Sequence, residues 1–292
     1  MKSIKLLALS ILLFFSCNKD EPGKGKQENL IGLDGGMVTS SDQMVSLEIP
    51  ANALSNETLI TLQTTSDHPA DNIGQVYDFG PNGLQFLAPA TMSFQYEASD
   101  LLVVNSDNNL TIAYDNNNSW EVLNSTVDVT SKTVSAEINH FTSFGLTYNN
   151  RIVYGGASYK IVNAEVNDLG MGDPFDPEYN SSPTHYNYEF SIYDRNENIW
   201  IDASLYAKNE NSFSSGTFVF KDDSSVQPSD VANIDFFFVA QMIVNQNSED
   251  FAATAGTIKV SGDPANKKYS IEYDLTYSNG KTAKGIFTGT FQ

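Results

Sequence analysis

Apolar and polar side chains alternate one by one along much of this chain, the period of a strand with one buried face. Val45-Ser46-Leu47-Glu48-Ile49 shows the pattern cleanly, and Thr58 to Leu62, Thr91 to Tyr96, Leu110 to Tyr114 and Val134 to Ile138 repeat it. Between them lie Asp34-Gly35-Gly36, Gly80-Pro81-Asn82-Gly83, Asp115 to Ser119 and Thr130-Ser131-Lys132, all residues that favour turns. Helical spacing is nearly absent, with one short candidate over Pro50 to Leu54. This half reads as all-β.

After Asn149-Asn150 a second series begins. Ser158 to Val166, Tyr186 to Tyr193, Ile199 to Tyr206, Gly216 to Phe220, Ile234 to Ile243, Gly256 to Val260, Tyr269 to Tyr277 and Lys284 to Phe291 are eight predicted strands. Several are joined by short turns, such as Asp194 to Asn198, which predicts an up-and-down barrel or a two-sheet sandwich. Residues 167–183, with Gly170, Gly172, Pro174 and Pro177, predict the longest irregular loop. Loops of that length tend to be functional or mobile.

The first 17 residues follow a different rule. Lys2 and Lys5 precede an apolar run from Leu6 to Phe15, and Ser16 stands just before Cys17. Such a run is too short to span roughly 30 Å of hydrocarbon and reads as a cleaved secretory signal over residues 1–16. A small residue followed by Cys resembles a lipoprotein signal, although Phe14 stands where such signals usually carry Leu. That resemblance implies a lipid on Cys17, which then becomes the N-terminus, and hence a membrane anchor. Cys17 is the only cysteine, so the mature chain has neither a disulfide nor a thiol-based site. Residues 17–29 are polar and charged, as a flexible tether is. Lys19-Asp20-Glu21 is similar to the surface-export signal of Bacteroidetes lipoproteins. It implies an outer-membrane protein at the cell surface, with the periplasmic face as the alternative.

Charge narrows the partners. With 36 acidic against 16 basic residues the formal net charge is −20, which argues against nucleic acid and anionic lipid as partners. Between Glu28 and Asn150 fifteen Asp and Glu face a single base, Lys132.

Residues 30–148 resemble the ZU-five domain, the β-sandwich shared by ankyrins, netrin receptors and tight-junction scaffolds. Gly35-Gly36-Met37-Val38 opens the match, and Val45 to Leu54 follows with its apolar strand, Ile49-Pro50 and Ala53-Leu54. Asn52 replaces the family's Gly, and Asn also accepts φ > 0. Phe79-Gly80-Pro81-Asn82-Gly83-Leu84-Gln85-Phe86 and Pro89-Ala90-Thr91 come next, and His140-Phe141-Thr142-Ser143-Phe144 closes the series. Residues 152–292 are similar in strand-and-Gly texture to lipocalin-type barrels, through Ser215 to Phe218, Gly256 to Val260 and Gly285 to Phe291. That likeness is at the level of fold and carries no ligand signature. The expected architecture is an N-terminal β-sandwich followed by a second β-barrel or β-sandwich domain.

The resemblance also raises one reaction. In a few ZU-five relatives a His-Phe-Ser segment cuts its own backbone. Here Thr142 would attack the Phe141 carbonyl and His140 would take the proton. The bland reading makes Phe141 a core residue and His140 a polar cap on the last strand, and it is preferred.

His68 and His185 stand alone, and no pair of histidines has zinc-site spacing. Asp173, Asp176 and Glu178 offer oxygens to calcium, which takes six to eight, but a solvated acidic loop is the preferred reading. Asp222-Asp223 and Asp115 with Asn116 to Asn118 read as turns. Trp200 and Tyr206 share one face of a strand and could stack on sugar rings, but Ile199, Ile201 and Leu205 make the other face apolar too, and burial of Trp200 in a core is the preferred reading. No cofactor or metal is expected. The function that follows is a non-catalytic binding or structural display role, toward a surface glycan, peptide or protein. Self-cleavage between Phe141 and Thr142 and an unrecognised glycan-active enzyme are the alternatives.

Overall fold

The computed structural model describes residues 26–176, 183–194, 196, 198–208, 211–245 and 249–292. The expectations for the signal, Cys17, the tether to residue 25, and Glu178 lie outside them.

Eleven strands form the first half. They are β1 (Gln27–Ile31), β2 (Gly36–Thr39), β3 (Val45–Ile49), β4 (Thr58–Thr65), β5 (Ile73–Gly80), β6 (Gln85–Gln95), β7 (Leu110–Asp115), β8 (Trp120–Val122), β9 (Thr126–Asp128), β10 (Thr133–His140) and β11 (Ser143–Tyr148). They build two sheets, in the orders β1-β4-β5-β11-β7-β8 and β2-β3-β6-β10-β9. The sheets share one core that buries Val38, Leu47, Ile60, Phe79, Met92, Ile112 and Phe141 completely. This is a β-sandwich.

Local chemistry sets the entry to it. Gly35 has φ +74°, and a Cβ there would lie 2.2 Å from the Ile49 carbonyl oxygen, so only glycine lets β2 come alongside β3. Asn52 adopts φ +63°, the conformation expected of an Asn in a glycine position. The same angle excludes the expected helix over Pro50 to Leu54, because a right-handed helix needs negative φ throughout. The segment is a turn, closed by the Ala53 N–H on the Pro50 carbonyl at 3.1 Å.

The second half contains β12 (Arg151–Tyr154), β13 (Ala157–Lys160), β14 (Asn163–Gly172), β15 (His185–Tyr193), β16 (Ile199–Lys208) and β17 (Gly216–Phe220). A one-turn helix α1 (Pro228–Val231) follows, then β18 (Phe236–Phe237), β19 (Ala240–Val244), β20 (Glu249–Asp263), β21 (Lys268–Tyr277) and β22 (Thr282–Thr290). They form one sheet in the order β13-β12-β22-β21-β20-β17-β18-β16-β15-β14. Strand β19 pairs with both β16 and β20, so β16, β18, β17, β20 and β19 close a five-strand ring. Gln292 donates its N–H to the Ala164 carbonyl and accepts from the Val166 N–H, tying the chain end to β14. The curled sheet encloses a second core, with Ile152, Phe190, Ile201, Met242, Ile271 and Phe291 among its buried residues.

Three expectations change here. Ser158 to Val166 divides into β13 and β14, because Ile161 and Val162 send their N–H groups to Asn150 and Tyr193. Ile234 to Ile243 divides into β18 and β19: Phe236 pairs with Tyr206 and Val219, whereas Ala240 to Val244 pairs with Ile199 to Ala203 and with β20. The irregular loop expected over 167–183 is shorter. Residues 167–172 continue β14 opposite His185 to Glu189, with a register shift between Asp168 and Gly170 that leaves Leu169 bulged and 56% exposed. A bulge absorbs the extra residue without ending the ladder.

Candidate functional site

The linker between the halves is pinned from both sides. The Asn149 N–H donates to the Asn109 carbonyl at 2.8 Å, and the Asn109 side-chain amide donates to Asn150 Oδ1 at 3.0 Å. On the other side, Asn150 Oδ1 accepts from the Thr288 N–H and Asn150 Nδ2 donates to the Thr288 carbonyl, both at 2.8 Å. The Asn150 side chain thus pairs with β22 as a peptide group would. Lys160 Nζ reaches the Trp120 carbonyl at 3.2 Å and adds a further bond across the junction.

Beside this pin lies a cleft of about 480 Å³. One wall is Asn108, Asn109, Leu110 and Thr111 with Asn124, Ser125 and Val127; the other is Arg151, Val153 and Lys284 to Ile286. Thr111 and Ser125 share a hydrogen bond of 3.0 Å, and Ser125 Oγ accepts the Ile112 N–H, so the wall is fixed. On the facing wall Arg151 stands opposite Ile286, and Val153 opposite Lys284, which puts all four side chains on one face. A Cβ at Gly285 would lie 2.2 Å from the Arg151 carbonyl, so the bare glycine permits that close pairing. Lys284 also pairs with Asp274 at 2.9 Å, a contact exposed to solvent. The cleft brings together residues far apart in sequence, and the strand pattern gave no sign of it.

The residues singled out from sequence lie elsewhere. Phe141 is fully buried against Phe79 and Phe86. Its carbonyl accepts the Gly83 N–H at 3.0 Å. The Thr142 hydroxyl donates to the Asp115 carbonyl at 2.8 Å, an acceptor that cannot carry the proton away. His140 stands edge-on to Tyr114, ring centres 5.8 Å apart.

Asp173 shapes a turn, accepting the Phe175 N–H on Oδ1 at 3.0 Å, while the Asp176 N–H bonds its carbonyl. Among the described residues no three His, Cys, Asp or Glu side chains are grouped to hold a metal ion. Asp222 and Asp115 accept backbone N–H groups in turns, as their sequence contexts imply. His68 faces the Pro69 carbonyl through Nδ1.

His185 is 1% exposed, between the Thr184 hydroxyl at Nδ1 and the Val231 carbonyl at Nε2. Burial lowers its pKa.

Trp200 is half-buried on the outer face of β16, its ring 5.0 Å from Tyr193. Tyr206 is half-buried at an even position of the same strand, while Ile199, Ile201, Ala203, Leu205 and Ala207 turn into the core. Asp202 stands between them, its carboxyl pKa raised by burial and by Glu189 and Glu165, against a hydrogen bond from Ser191.

Compared with models of known protein families and with curated proteins, the chain matches none.

Proposed function

We propose that the mature chain is a lipid-anchored display protein of the outer membrane, held by Cys17, that acts by non-catalytic binding or as a scaffold. The first half is a ZU-five-like spacer and the second a lipocalin-type module. The supporting sequence pattern is the charged start, short apolar run and Ser16-Cys17. The observation that speaks against self-cleavage is the Thr142 hydroxyl bonded to the Asp115 carbonyl instead of to a base. Nucleophilic attack needs the proton removed as the bond to carbon forms, and His140 packs on Tyr114.

Metabolic labelling with a fatty acid and intact mass spectrometry test both parts. The wild-type chain is expected to carry label and run as one species, and Cys17→Ser to lose the label. An unlabelled wild-type chain overturns the anchor. Fragments ending at Phe141 and starting at Thr142, absent from Thr142→Ala, replace display with self-processing. Turnover of a chromogenic glycoside replaces it with a glycan-active enzyme.

A further inference from the structure

The cleft at the junction departs from the rest of the molecule in charge. Acidic residues outnumber basic ones by 36 to 16 in the chain, yet the only charged residues in the lining are Arg151 and Lys284. They are diagonal neighbours on the β12–β22 pair, which sets the two residues about 7–8 Å apart. No side-chain hydrogen bond or ion pair within the described residues engages the Arg151 guanidinium. Lys284 keeps one carboxylate partner, Asp274, at the solvent side. The opposite wall offers the exposed amides of Asn108 and Asn124, and the Ser125 and Thr111 hydroxyls behind them.

From this lining we propose that the junction cleft binds a carboxylated oligosaccharide of the uronic-acid class. The guanidinium fork receives a carboxylate through two parallel N–H···O bonds, and Lys284 contributes a second positive charge. Side-chain amides both donate and accept, as sugar hydroxyls do. The volume falls within the roughly 300–1,000 Å³ typical of small-molecule sites, enough for a short oligomer. The Asn109–Asn150–Thr288 pin holds the two walls before the ligand arrives, which lowers the ordering cost of binding. An acidic peptide is the weaker reading, since the lining has no aromatic or deep apolar pocket to take side chains. The inference rests on the binding half of the display reading and is independent of the anchor.

The test is titration calorimetry on the full-length chain in detergent, with oligogalacturonates of two to four sugars. The acids are expected to bind, and their methyl esters, which keep the sugar and lose the charge, to bind about tenfold more weakly or worse. Arg151→Gln, at an exposed position, is expected to keep the wild-type melting transition and lose binding by a similar factor. Arg151→Lys keeps the charge without the fork and should fall between them. The assignment is overturned by absence of binding, by esters that bind as well as acids, or by an unaffected Arg151→Gln. Inorganic phosphate or a poly-glutamate peptide binding as tightly as the saccharide also overturns it. If the acids fail to bind while label on Cys17 and a single species persist, the cleft assignment falls and display stands. If the acids bind and are turned over, the cleft stands and the non-catalytic reading falls.

Discussion

The two halves treat their deepest tyrosines differently. In the sandwich each deep hydroxyl has a fixed partner. Tyr77 donates to Asp42 at 2.7 Å, Tyr96 to Asp107 at 3.1 Å, and Tyr148 meets Ser106 at 2.9 Å. Lys132 completes the second set, 2.7 Å from Asp107. Burial and the Asp107 contact push the Tyr96 phenol up to about 12. In the curled sheet Tyr273 and Tyr277 are at most 3% exposed, and their hydroxyls have no partner among the described residues. Rings there serve as bulk: Phe190 packs on Phe213, Tyr269 and Phe291. The first half bonds each deep phenol, whereas the second bonds Tyr154, through Asn279, and leaves Tyr273 and Tyr277 unbonded among packed side chains.

The largest effects come from the cores. Phe141→Ala and Phe190→Ala should each cost about 3–5 kcal/mol, the usual loss for a buried aromatic. Each is expected to lower the melting of its own half, read by hydrogen exchange resolved along the chain. Loss of protection across both halves in either variant would break the comparison.

Next comes the ion pair. Lys132→Met should cost about 2 kcal/mol, since it strands a largely buried carboxylate while the lysine itself is part-exposed. Burial works to raise the pKa of Asp42 and Asp107. The Ser40 and Tyr77 bonds to the first, and the Lys132 and Tyr96 bonds to the second, outweigh it and leave both lowered. A lowered carboxyl stabilises the fold above its unfolded value, about 4, and loses that as pH falls through the folded one. His185 acts in another window. Its lowered pKa favours the neutral ring in the fold, so its contribution is present above about 6.5 and declines below. Asp202, raised by burial, works against that decline. Thermal melts between pH 7.5 and 4.5 should therefore weaken the second half before the first, and His185→Phe should remove the difference.

The smallest effects sharpen the contrast most. Tyr77→Phe removes a bonded hydroxyl and should cost about 1–2 kcal/mol. Tyr277→Phe removes an unpartnered one and should leave stability unchanged or raise it by about 1 kcal/mol. Equal losses in denaturant titrations would show that the second half also fixes its hydroxyls.

Strands with one wet face were legible in the sequence. Strand β17 was read with its observed bounds, and β3 and β10 show the alternation in their burial. Strand β11 carries the alternation too, with Phe144, Leu146 and Tyr148 set between Ser143, Gly145 and Thr147, so its signal was present in the sequence although no strand was predicted there. The stretch from Phe251 to Ala255 was missed because three alanines and a threonine carry no apolar rhythm; its pairing with β19 and β21 makes it a strand. Splits such as β13 from β14 depend on hydrogen bonds to distant carbonyls. The cleft was illegible for the same reason. Its lining joins residues 108–127 to Arg151 and Val153 and to the distant 284–286, and neither Arg151 nor Asn124 stands out within its own neighbourhood.

The Asn150 pin has a mechanical meaning. Because one side chain is bonded to Asn109 and to Thr288, a pull along the backbone meets no slack between the halves. The second half is then held at a set angle to the first. Cutting that amide with Asn150→Ala would loosen the strut, leaving Lys160 on the Trp120 carbonyl and Thr290 on Asp71 to bridge the halves.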